Sequence, residues 1–234
     1  MSLVIAAFVP TGIVLSADSR TTGTSRGAPQ PVPGNASLQT VLETNLVLSD
    51  SASKLFLLFK SYGVATVGDA LVNNLPIAKH VAQYEASVVG APPQTVQACA
   101  QGLLAFFRTL APIPNVVLLV AGYDGVVPWV NSVEVQNNVT SRLNVNAAGQ
   151  VLFGLLKMGE TAVVDRILSQ PQFNPLFDVM QLQDAADYSR YLVRSTIDEM
   201  RFEPRFATVG GPIDTLVLQS TGGQWLALKE LRAT

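Results

Sequence analysis

This chain has one cysteine, one histidine, two tryptophans and only 14% charged residues among its 234. A single Cys99 excludes an intramolecular disulfide, and one cysteine with one histidine is too few for a structural zinc site. No metal or other cofactor is therefore expected. A serine–histidine–carboxylate triad would depend on His80 alone, which sits in a helical pattern and reads as a packing or surface residue. Basic residues are also few: 15 Lys and Arg against 17 Asp and Glu give a net charge of −2. That balance carries no basic footprint for nucleic acid. No apolar run reaches the ~18 residues of a membrane span. No Gly-x-Gly-x-x-Gly follows a strand, which leaves a nucleotide-binding reading little support, and no repeat of fixed period is present.

What remains is a strongly apolar chain, 48% hydrophobic. A chain of this length forms one domain, here taken as 1–234. So little charge implies a large core or surface buried against other subunits, and unpaired Cys99 fits a reducing, cytoplasmic setting. Leu3–Val9 and Ile13–Leu15 could pass for a secretory leader. No basic residue precedes them, though, and Pro10-Thr11-Gly12 reads as a turn between two strands.

The order of elements follows from periodicity. Strands are expected at 3–8, 13–17, 54–59 and 63–67, then helices over 70–89 and 94–110. Strands return at 115–121, 127–133 and 140–144, with Asp124-Gly125 as a hairpin turn. Helical pattern is expected at 150–157, 160–169 and 182–200, and strands at 206–209, 213–219 and 224–229. Residues 21–51 hold Pro29, Pro31 and Pro33 and little periodicity. They read as a long loop insertion with a short hairpin arm at 41–48. This order predicts an α+β fold, two antiparallel sheets between two helical layers: a four-layer αββα sandwich.

Four positions carry the chemistry. Ser2 follows only the initiator methionine. With Met1 removed, it offers a hydroxyl and an α-amine of pKa about 7.7–8.0, a base that needs no histidine. Methionine aminopeptidase accepts small second residues, so no propeptide is required. Asp18 ends an apolar strand and reads either as a turn cap or as a partner for Lys54. Lys54 precedes the apolar Leu55-Phe56-Leu57 and reads either as a solvated residue before that strand or as a buried lysine, which requires a carboxylate. Gly68 reads as the glycine of a tight strand-to-helix turn. Asp184, Asp187, Asp198 and Glu199 read as a solvated helix face, and Cys99 as a small buried residue.

These motifs together resemble the proteasome β-subunit-type N-terminal-nucleophile hydrolases, and their smaller bacterial relatives that form rings or spirals. In that family the N-terminal residue attacks and an Asp-x-Arg follows on the second strand. A lysine opens the next strand, and a later glycine supplies an oxyanion N–H. The positions fall on Ser2, Asp18-Ser19-Arg20, Lys54 (after a longer loop) and Gly68. Gly210-Gly211-Pro212-Ile213-Asp214 is similar to the family's entry into a late strand. The resemblance implies catalytic roles for Ser2, Asp18, Lys54 and Gly68. It implies substrate contacts at Thr21, Thr22, Ala52, Thr66 and Ala70, and structural roles for Arg20, Gly210 and Gly211. Three departures stand out: Ser in place of Thr, Phe206 and Val209 where the family has Asp and Ser, and Ala148 or its neighbour for a further serine near the third helix.

The resemblance implies an amide-bond hydrolase, a peptidase acting on peptide or unfolded polypeptide, assembled as a homo-oligomeric ring or spiral. Two alternatives stand beside it. One is an inactive or weakly active subunit kept for assembly; the other is a small-molecule amidase of the same class.

Overall fold

The computed structural model describes residues 2–32 and 35–229. Met1, whose removal the nucleophile reading requires, and Pro33 of the long insertion lie outside the described residues. The protein is an α+β structure built mainly on antiparallel sheets.

Strands β1 (Leu3–Val9) and β2 (Gly12–Ala17) form a hairpin around Pro10 and Thr11. Four strands follow: β3 (Thr21–Arg26), β4 (Gln30–Val32), β5 (Asn35–Thr40) and β6 (Glu43–Ser49). Then come β7 (Leu55–Leu58), β8 (Tyr62–Gly68), and the two-residue strands β9 (Leu71–Val72) and β10 (Leu75–Pro76). Helices α1 (Ile77–Ser87) and α2 (Val96–Arg108) precede β11 (Val116–Asp124), β12 (Val127–Glu134), β13 (Val139–Arg142) and β14 (Gly154–Gly159). Helices α3 (Ala162–Ile167) and α4 (Leu182–Met200) lead to β15 (Asp214–Gln219) and β16 (Gly222–Ala227).

The strands sort into two five-stranded sheets, ordered β14-β1-β2-β15-β16 and β13-β12-β11-β8-β7. Alternate residues of β1 explain its position. Val4, Ala6 and Phe8 pack with Leu55, Ala65 and Leu119 of the second sheet, while Leu3 and Ile5 pack on Val164, Leu192 and Val193 of α3 and α4. A strand buried on both faces carries an unbroken apolar run instead of an alternation. On the far side of the second sheet, Val64, Leu118 and Val120 meet Val81, Leu103 and Phe107 of α1 and α2. Burying a side chain such as Phe107 contributes about 1.5–3 kcal/mol. Helix α2 starts where Thr95 caps the Ala98 N–H at 3.0 Å, a standard way to satisfy an orphan donor.

Four expectations are corrected. Residues 150–157 are not helical: β14 pairs with β1 from Leu3↔Gly159 to Phe8↔Gly154. Leu155 packs toward the helices and Leu156 between the sheets, so the run lost its period of two and resembled a helix. The helix expected from 70 begins at Ile77. Asn73 and Asn74 take φ of 51° and 60°, turning the chain between β9 and β10, a conformation Asn tolerates well. Residues 206–209 form no strand, because side chains claim their neighbourhood: Arg20 Nη1 donates to the Ala207 carbonyl at 3.2 Å, and Asp18 accepts the Gly210 N–H. Finally, residues 21–51 are not a loop. Strand β3 pairs with β6 and β4 with β5, and the Gly27 N–H donates to the Leu42 carbonyl at 2.8 Å between the two ladders. The segment is a two-stranded ribbon.

Candidate active site

Asp18 leaves the end of β2 fully buried and collects four donors. Oδ1 accepts the Leu3 N–H at 2.9 Å and the Lys54 ammonium at 2.6 Å. Oδ2 accepts the Arg20 N–H at 3.1 Å and the Gly210 N–H at 3.0 Å. One carboxylate thus ties β1, β2, the segment before β7 and the loop before β15. Lys54 is 5% exposed. Burial pushes its ammonium below the ordinary lysine range, Asp18 pulls it back up, and the Lys229 and Arg20 charges push it down further; burial prevails. The ammonium is thus a buried charge whose carboxylate partner is Asp18.

Ser2 lies just before β1 and is 9% exposed. Its carbonyl accepts the Glu160 N–H at 2.8 Å. The preceding Gly159 has φ +92°, and a Cβ there would stand 1.8 Å from the Ser2 carbonyl oxygen. The end of β14 is therefore shaped around the Ser2 backbone, and only glycine permits that approach. Glu160 is itself buried and bound bidentately by Arg205, at 3.0 and 3.3 Å.

Ser2, Lys54 and Gly68 share the lining of one cavity of about 560 Å³, whose wall also includes Thr21, Thr22, Ala52, Thr66 and Ala70. All five expected substrate contacts are on this surface. Gly68 ends β8 with φ +109°, and a Cβ would fall 2.1 Å from the Asn115 carbonyl oxygen, so no other residue fits without displacing β11. The charged groups on the wall are already engaged. Lys54 pairs with Asp18, and Arg20 pairs with Asp50 at 2.6 and 3.0 Å. Asp69 accepts the Asn115 N–H at 2.8 Å. Hydroxyls and apolar side chains, among them Leu48, Leu71 and Ile77, make up much of the rest.

Arg20 is also a tether: the Asp50 pairing raises its pKa and its guanidinium holds the Ala207 carbonyl. Gly210 gives its N–H to Asp18 and its carbonyl to the Ser19 N–H at 3.0 Å. Gly211 lies beside the Asp50 carbonyl. Val209 is 1% exposed and packs with Leu3 and Ile5, so the position where the family has a polar side chain belongs here to the core. The Ser19 and Thr208 hydroxyls flanking this turn are buried without a hydrogen-bond partner.

Ala148 does not lie at the third helix. It sits in the exposed turn before β14, its N–H on Asn146 Oδ1, and α3 begins at Ala162. The residue against Ser2 is Glu160. Sequence reasoning missed Glu160, Arg205, Asp50 and Leu48. The Gly159-Glu160 step before a helix was the available signal for the first; the others are set by pairings across the fold. His80 is buried, its Nε2 2.9 Å from the Val72 carbonyl. Burial raises the Cys99 thiol to about 12, which makes it inert. Among the described residues no group of three or more His, Cys, Asp and Glu is placed to hold a metal, and no helix is long and apolar enough to cross a membrane. No family model and no curated protein matches this chain.

Proposed function

We propose that this chain is an amide-bond hydrolase of the proteasome β-subunit-like N-terminal-nucleophile class, a single domain with the four-layer αββα architecture of that family. Its substrates are peptides or unfolded polypeptides, and it assembles with copies of itself as a ring or spiral. The observation that carries this reading is the convergence of Ser2, Gly68 and the buried Lys54–Asp18 pair at one cavity.

In the proposed reaction Met1 has been removed. The Ser2 Oγ attacks the substrate carbonyl carbon while its proton passes to the Ser2 α-amine. The neighbouring Lys54 charge lowers the pKa of both groups, favouring the nucleophilic hydroxyl and the neutral amine. Asp18 holds Lys54 in place. The carbonyl oxygen becomes an oxyanion that the Gly68 N–H stabilises, a donor of a kind worth ~2.7–4 kcal/mol of barrier. Collapse breaks the C–N bond, and the α-ammonium returns the proton to the leaving amine. Water, deprotonated by the same amine, then releases the acyl group and restores Ser2.

Intact mass and an epoxyketone or β-lactone probe test the reading. The expected result is a chain lacking Met1 and an adduct on Ser2 that is lost in Lys54→Ala. Retained Met1 would block the amine and overturn it. The second reading is an assembly subunit without turnover. Val209 and Phe206 support it, since they remove polar groups that the family keeps beside the nucleophile. A chain that lacks Met1 and yet takes no adduct would favour it.

A further inference from the structure

The ribbon formed by β3–β6 stands apart from both sheets. Strands β3 and β6 contact chiefly each other, as do β4 and β5. Its described side chains are almost all exposed, among them Val41, Leu42, Leu46, Val47 and Leu48 at 44–76%. An isolated two-stranded ribbon is marginal in water, and an exposed apolar edge strand invites another strand.

The two edges of the ribbon differ. The β3–β4 side carries Pro29 and Pro31, which lack an N–H. Proline and charge are the usual guards of a free edge. The β6 side runs Glu43-Thr44-Asn45-Leu46-Val47-Leu48-Ser49, with neither proline nor lysine; Thr21 faces Ser49 and Thr22 faces Val47, so a register shift leaves Leu48 without a partner on β3. The one charge of β6, Glu43, is neutralised within the ribbon by Arg26 at 2.8 Å. A neutral edge offers nothing to a partner selected by charge.

That edge is complementary to itself. Two copies of one strand can pair antiparallel about a twofold axis, each residue facing its mirror position. With the axis at Val47, the facing pairs are Val47 with Val47, Leu46 with Leu48, and Asn45 with Ser49. Apolar residues meet apolar ones, and polar residues meet polar ones. An axis at Leu46 would instead set Leu48 against Thr44. Cross-strand matching of this kind is what selects register.

We propose that β6 is a homo-oligomer interface, joining two copies edge to edge with Val47 on the twofold axis so that two ribbons become one four-stranded sheet. This rests on the self-assembly proposed above and adds a twofold contact to it, one that pairs two copies and leaves the ring or spiral to a separate head-to-tail surface. Because Thr21, Thr22, Leu48 and Ser49 also line the cavity, the pairing fixes one wall of the site.

Sedimentation and cysteine cross-linking test it on the full chain. Native Cys99 is fully buried, so an introduced thiol reports alone. Wild type is expected to sediment at a multiple of its 24.9 kDa chain mass, and Val47→Lys at half that multiple or less. Val47→Cys, which keeps an apolar side chain, should give covalent dimers with copper–phenanthroline or a short bis-maleimide, while Thr24→Cys on the guarded side should give few. A wild type that sediments as the single chain at tens of micromolar would overturn both the self-assembly and this interface. Wild-type assembly that survives Val47→Lys, or cross-linking at Thr24→Cys but not Val47→Cys, would overturn the interface alone.

Discussion

Two segments meet at the mouth of the cavity, and they are built by opposite rules. The corner formed by Asp18, Lys54 and Gly68 is held several times over: Asp18 and Lys54 are buried, one carboxylate takes four donors, and Gly68 has room for no side chain. The ribbon rooted at Thr21 and Ser49 is exposed, and its two strands are held mostly by each other. The corner fixes where chemistry can occur, because buried polar groups tolerate no loss of a partner. The ribbon is free to vary and so can carry selectivity and assembly. Changes in the corner should therefore be costly, and changes in the ribbon cheap for the isolated chain.

Asp18→Asn tests the corner most severely. It leaves Lys54 buried without its carboxylate, and breaking a buried pair costs about 3–5 kcal/mol. Urea denaturation should show a loss of this size; a loss below ~1 kcal/mol would mean that water reaches Lys54. The same variant has a signature in activity. In wild type, amide hydrolysis should rise as the α-amine loses its proton and fall as Lys54 loses its own, below the ordinary lysine value near 10.4. Asp18 raises the Lys54 pKa, so Asp18→Asn should move the falling limb to lower pH. An unmoved limb would assign it to another group.

Gly68→Ala ranks next. A side chain at φ +109° costs about 1–3 kcal/mol from backbone conformation, and its Cβ would meet the Asn115 carbonyl oxygen at 2.1 Å. Calorimetry should show that loss, and displacement of the proposed oxyanion donor should slow adduct formation by ~10²–10³-fold. An adduct rate within a few-fold of wild type would remove Gly68 from the chemistry.

These contrasts also explain what could be read in advance. The Asp18–Lys54 pair was legible because a lysine leading an apolar strand has few ways to be buried. Helix α4 was legible from its period, Leu182–Met200 as expected. Strand β14 was not, since Leu155 and Leu156 are half-buried on opposite faces and carry no alternation. The ribbon was hidden for the converse reason: with no face buried in its own domain, it needs no apolar period. Glu160 and Arg205 lie 45 residues apart, and nothing local ties either to Ser2.

Leu48→Ala moves the comparison to the ribbon. Leu48 is 54% exposed and lies over Gly23 at the cavity wall. A half-buried leucine contributes about 1 kcal/mol, roughly a fivefold rise in KM for peptides with an apolar residue beside the scissile amide. The kcat should be unchanged, the mark of uniform binding. A fall in kcat would instead couple the ribbon to the corner.

Thr24→Val should have the smallest effect. The Thr24 hydroxyl donates to Asn45 Oδ1 at 2.8 Å across the exposed face of the ribbon. Water can replace either partner, and valine keeps the β-branched shape that strands favour. Surface substitutions of this kind stay within about 0.5 kcal/mol, so denaturation of the dilute chain should barely shift. A loss above ~1 kcal/mol would mean that the ribbon unfolds together with the sheets, as one cooperative unit. In that case the ribbon would order the cavity wall without any second copy, and the division between a fixed corner and a free ribbon would fail.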